Sequence, residues 1–261
     1  RNCLEAVVER EPDYAEAWAF LAAIYHDQRL GMNPEGDVPD PVARMKEAAQ
    51  RAISINPKSS RGHKWLAITH YWTGDAESFL EAARQAISLN PYDASIYADI
   101  GLWLWNAGQT KMGAELMSKA IALTPNPPRW YYRTLMLDQY RKRNYEEALK
   151  FALKAEDPGS FWSCSLLAMT YGQLGKRDEA ATAIEELLEI IPDYRTTVEL
   201  FNEPFAFGIP EERQHWIEGL EKAGLFDHPE LALPTGPSIA VLPFRNISDD
   251  SEQDYFVEGL S

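Results

Sequence analysis

Cysteine is almost missing. Cys3 and Cys164 lie far apart, with no CxxC and no Cys/His spacing. A disulfide framework and a structural zinc site are therefore both excluded as organising principles, and the pattern fits a reducing compartment. Long apolar runs are missing too. "WAFLAAIY" (18–25) and "IAVLPF" (239–244) fall far short of the ~20 residues a membrane span requires. Basic residues are outnumbered, 25 Lys and Arg against 40 Asp and Glu, for a net charge of −15. That balance opposes nucleic-acid binding through a generally basic surface, because duplex binding rests largely on Lys/Arg–phosphate contacts. Signatures of catalysis are missing as well: no phosphate loop, no GxSxG, no HExxH. Nothing here gives reason to expect an enzyme, a metal or a cofactor. The opening "RNCLEAVVEREPD" has neither a signal-peptide core nor an initiating Met, so the chain is expected to be a piece of something longer, acting in the cytoplasm.

What is present is apolar material and a period. Eight Trp, twelve Tyr and ten Phe supply a core and argue against disorder of the whole chain. Helical, apolar-patterned stretches end in "SINP" (Pro57), "SLNP" (Pro91), "ALTP" (Pro125) and "EIIP" (Pro192). The intervals are 34, 34 and 67 residues, the last being two periods less one. Proline lacks an N–H and disfavours helix at the residue before it, so each marks a helix end. One helix pair cannot bury its apolar face alone, and a period of this size means that pairs stack.

On these residues the chain resembles the tetratricopeptide repeat family. Tyr97, Ile100 and Gly101 stand on that family's opening pattern, with Ala120 and Pro125 on its closing one. Leu167, Ala168, Tyr171, Ala180 and Pro192 repeat the frame, and Trp18, Leu21, Ala22 and Tyr25 open an earlier copy. The resemblance implies an all-α fold: a right-handed α-solenoid superhelix of about five repeats over 1–192, the first truncated. A Gly- and Pro-rich insertion (30–42) forms a loop between two helices, and the fourth repeat slips register by one. Small residues such as Gly101 and Ala168 let the paired helices approach closely, since interaxial distance follows side-chain size. Capping helices are expected over 193–225, a linker over 226–237 and a short extended tail over 238–261.

The family's first helices line its concave side. Projected onto this sequence, the partner-binding groove is expected to hold Lys64, Tyr71, Trp72, Trp105, Asn106, Arg133, Tyr140 and Arg141. His26, Ser165, Met169 and Gln173 flank them on the same frame. Aromatic anchors beside Arg favour a protein or peptide partner, an acidic one in particular, because Arg pairs carboxylates bidentately. Trp72 and Trp105 could equally be packed between repeats. His63 and His70, seven apart on one helix, are expected to be packing residues rather than a metal or catalytic pair, with no carboxylate in register.

A second resemblance sits at the end. Ile239–Phe244, Asn246, Ser248 and "SEQDYFVEGL" (251–260) look like the start of a TolB-like domain of bacterial signalling proteins. Those proteins join class III adenylate or guanylate cyclase domains, or winged-helix regulators, to tetratricopeptide arrays. In them the strand usually precedes the repeats, whereas here it follows. The resemblance implies a regulatory scaffold within such a protein, with two alternatives: a fragment of a cyclase, or of a transcriptional regulator. The acidic, aromatic tail 238–261 is further expected to dock on a repeat surface of the same or a neighbouring copy.

Overall fold

The computed structural model describes residues 1–30, 38–194 and 210–226. The helix expected after Pro192, most of the 30–42 insertion and the extended tail lie outside the described residues. Within them every regular element is an α-helix. The order is α1 (Asn2–Arg10), α2 (Ala15–Arg29), α3 (Pro41–Ile55), α4 (Ser60–Trp72), α5 (Ala76–Leu89) and α6 (Ala94–Asn106). Then come α7 (Thr110–Leu123), α8 (Tyr131–Arg141), α9 (Tyr145–Ala155), α10 (Phe161–Leu174), α11 (Arg177–Ile190) and α12 (Pro210–Lys222).

Local chemistry sets most of these bounds. Helices α3, α5, α7 and α11 each stop two residues before a periodic proline, at Ile55, Leu89, Leu123 and Ile190. Asp40, Ser59, Asp75 and Asp93 begin α3 to α6, each accepting a hydrogen bond from a backbone N–H of the first turn at 2.9–3.1 Å. Pro41 follows as the first residue of α3, where a missing N–H costs nothing. Between paired helices the chain reverses through a left-handed residue, Gly74, Gly108 or Gly175. The α8–α9 turn instead uses Arg143 at φ 61°, and α3 is entered through Asp40 at φ 46°.

The helices pack as consecutive pairs, α2 with α3, α4 with α5, α6 with α7, α8 with α9, and α10 with α11. First helices also touch the next first helix, α2 to α4, α4 to α6 and α6 to α8, so the pairs form an α-solenoid. Alanine and glycine make the close approaches. Ala19, Ala22, Ala49, Ala67, Ala86 and Ala98 are fully buried. A Cβ on Gly113 would meet Gly101 O and Trp105 N at 2.6 Å, so α6 and α7 are in backbone contact there. Large side chains fill the layers between pairs, among them Leu21, Met45, Ile68, Ile100, Met136 and Leu187.

Helix α12 stands against α10, in the place a further first helix would take. Trp216, Leu220 and Leu225 are buried in that joint. A Cβ on Gly172 would overlap Gly219 O and Ala223 N, which makes glycine obligatory at this crossing.

Candidate functional site

The predicted groove residues all belong to the first helices α4, α6 and α8, but their environments differ sharply. Lys64 is buried, its Nζ donating to Asp99 Oδ2 of the next first helix at 2.6 Å and lying 4.6 Å from the Trp65 ring centroid. The pair ties α4 to α6. Trp105 and Asn106 are also buried, 3 % and 6 % exposed. Trp105 lies against the α7 backbone at Gly113, and Asn106 Nδ2 donates to Leu102 O. Tyr140 is buried at the α8–α12 joint, where its hydroxyl donates to His215 O at 3.1 Å. These four side chains sit in the packing between helices.

Tyr71 and Trp72 are half-buried and belong to an aromatic cluster with His26, Trp65 and Trp103. Their rings meet at 4.7 to 5.4 Å, edge-on or tilted, the geometry the ring quadrupole favours, and Arg29 lies 4.6 Å above Trp72. Arg141 is engaged by Asp138 at 3.8 Å and by Glu212 of α12 at 3.9 Å.

Arg133 differs from the other cations. Its guanidinium makes no hydrogen bond or ion pair among the described residues and lies 5.7 Å from the Trp162 ring centroid. Burial pulls it below the usual guanidinium value, with the Asp157 charge opposing from longer range. It faces a cavity of about 290 Å³ between the start of α8 and the start of α10, walled by Arg129, Trp130, Asp157, Trp162 and Ser163. Arg129 is partly engaged, donating to Glu156 O. Helix α10 begins at the cavity wall, where Ser160 makes no side-chain cap, so the positive end of the helix dipole lies beside the cavity.

The flanking positions are structural. Ser165 is buried against the Tyr194 hydroxyl at 2.8 Å, Met169 is buried, and Gln173 links the Tyr140 hydroxyl to Lys222. His63 Nε2 lies 3.1 Å from Pro57 O, while His70 Nδ1 lies 3.6 Å from Asp75. The Asp75 carboxylate beside His70 is the one that starts α5, accepting from Ser78 N–H. Among the described residues no group of three His, Cys, Asp or Glu could hold a metal ion.

Sequence reasoning found Arg133 and missed the cavity around it. The run "RWYYR" (129–133), where the fourth repeat slips register, was its one visible signal.

Comparison with known proteins agrees with this geometry. Residues 163–194, covering α10, α11 and the turn after them, match the model of the tetratricopeptide repeat. The chain has the tetratricopeptide-repeat fold. Solved structures share it at low identity. PilW, a widely conserved type IV pilus biogenesis factor, is 14 % identical, over 80 % of this chain and 90 % of its own, with a TM-score of 0.58. TTC0263, a thermophilic tetratricopeptide-repeat protein of Thermus thermophilus, is 17 % identical over 79 % and 99 %, with a TM-score of 0.53. The APC/C hetero-tetramer Cut9–Hcn1 gives a TM-score of 0.60 at 15 % identity, over 84 % of this chain and 42 % of that one. No curated protein matches the sequence significantly. Among the described residues no helix is long and apolar enough to cross a membrane.

Proposed function

We propose that this chain is a protein-interaction module that holds an acidic peptide or protein segment along its first helices. The observation that carries this reading is the surface chemistry of the first helices. Tyr71 and Trp72 on α4 are half-buried aromatic rings, and Arg133 on α8 is a cation without an ion-paired carboxylate. Aromatic rings supply contact area with little loss of rotamer freedom, and an unengaged guanidinium rewards a partner carboxylate without first breaking an internal pair. The assembly of Cut9 with Hcn1 is a case of the same fold serving a complex.

The resemblance of 238–261 to TolB-like segments supports a place for the module inside a bacterial, cytoplasmic signalling protein. A nucleotide cyclase or a winged-helix regulator would then supply the output, with the repeats regulating rather than catalysing.

Selection of displayed random peptides on the immobilised chain tests the reading. Sequences rich in Asp or Glu beside aromatic residues should be enriched, and Arg133→Glu should abolish that enrichment. Absence of enrichment, or equal enrichment on Arg133→Glu, would refute it.

A further inference from the structure

The cavity beside Arg133 has more chemistry than a contact patch needs. A half-buried guanidinium with no hydrogen bond or ion pair, and only the longer-range Asp157 charge beside it, is a costly arrangement, since buried Arg is normally paired. Nothing in the fold requires it, because the Trp162 contact at 5.7 Å is a weak compensation. A second observation points the same way. The start of α10 has no side-chain cap and lines the same cavity, so the positive end of a helix dipole stands at the wall that also carries Arg133. The flanking rings of Trp130 and Trp162 add apolar surface to a mixed wall, in which the Ser163 hydroxyl is already engaged, accepting from Asp157 N–H and donating to Ala155 O. The Asp157 carboxylate on the rim disfavours a doubly charged anion, while a singly charged one is balanced by Arg133. At about 290 Å³ the cavity matches the small end of ligand pockets and holds one ring with its substituent.

We propose that the cavity between the starts of α8 and α10 binds a single carboxylate carried on a planar or apolar group. Arg133 and the first-turn N–H groups of α10 receive the carboxylate, and Trp130 and Trp162 flank the body. The same chemistry is offered by a free aromatic acid and by a Glu side chain next to an aromatic residue in a peptide. The inference does not require the partner-protein reading. Saturable benzoate binding by a chain that enriches no peptide would sink that reading and leave this one standing.

The test is ligand-observed NMR titration of the whole chain with benzoate, benzamide, inorganic phosphate and acetyl-Phe-Glu-amide. Benzoate should saturate, and its neutral isostere benzamide should bind at least about ten-fold more weakly, the usual loss when a charge-assisted pair is removed. Arg133→Met should remove the benzoate preference with an unchanged circular-dichroism spectrum. Trp130→Leu, which trims one wall, should weaken both ring probes alike. Tighter binding of the peptide probe than of benzoate assigns the carboxylate to a partner's side chain, and the reverse assigns it to a free acid. Equal binding of benzamide, a preference that survives Arg133→Met, tighter binding of phosphate, or no saturable binding of either carboxylate would overturn the proposal.

Discussion

Two of the cations that meet a tryptophan on the first helices of this solenoid, Lys64 and Arg133, have opposite fates. In the N-terminal half, Lys64 lies over Trp65 and is neutralised by Asp99 at 2.6 Å, where the two hold α4 to α6. In the C-terminal half, Arg133 faces Trp162 and has no carboxylate within ion-pair reach among the described residues. The first arrangement completes itself and belongs to stability. The second is left incomplete and invites an anion from outside. Residue type and helix position alone do not separate the two roles. What separates them is whether the neighbouring first helix delivers a counter-charge.

The largest break in this comparison is Asp99→Ala. It strands a buried ammonium, and unfolding monitored by denaturant should show a loss of about 3 kcal/mol, the low end for a broken buried pair because Asp99 keeps some water. A loss below about 1 kcal/mol would mean that the Lys64 pair is no more than a surface contact.

Next in size is the cap. Gly172→Ala places a methyl group against the α12 backbone, and overpacking of this kind costs about 2 kcal/mol. The loss should come with a red shift of tryptophan emission as Trp216 gains water, since Trp216 is 5 % exposed in the joint. Gly74→Ala, whose Cβ would meet nothing within 4 Å, leaves the joint intact and should show no such shift.

A smaller effect, of opposite sign, concerns the turns. Arg143 takes the left-handed conformation that Gly74, Gly108 and Gly175 take in the α4–α5, α6–α7 and α10–α11 turns. Arg143→Gly should therefore stabilise the chain, by about 1 kcal/mol, in the same unfolding measurement.

The last effect is one of pH. His215 is held in its neutral form by burial and by Arg143, with Glu218 opposing, Lys222 adding to the depression, and the Tyr145 hydroxyl 2.9 Å from Nε2. Its folded value lies below its unfolded value, so it contributes no penalty above about pH 6.5 and destabilises the folded chain as pH falls below that. Stability of the wild type should decline below about pH 6.5 more steeply than that of His215→Gln, measured by thermal melts from about pH 8 to about pH 5. Parallel pH profiles would remove His215 from the account.

Much of the fold was legible because it depends on local chemistry. The prolines at 57, 91, 125 and 192 announce helix ends, and Gly101 announces the close approach that Gly113 completes. The site was legible only in part, because neutralisation of a cation is a tertiary fact. Asp99 is 35 residues from Lys64 in sequence, and Glu212 reaches Arg141 only because α12 follows the last repeat. The same projection put Trp105, Asn106 and Tyr140 on the groove face, with packing left open for Trp105, yet all three are buried, Trp105 against α7 and Tyr140 against α12. Trp130 and Trp162 flank Arg133 from two different repeats, at a point where the register slips and the frame is least informative.

The central claim is that Arg133 serves a ligand and not the fold. The most direct measurement is the unfolding free energy of Arg133→Met against that of Asp99→Ala under identical conditions. Arg133→Met should be neutral within about 0.5 kcal/mol, or stabilising, because it removes a half-buried charge that only the longer-range Asp157 carboxylate balances. A loss approaching that of Asp99→Ala would show that Arg133 is a structural cation like Lys64 and would contradict the account.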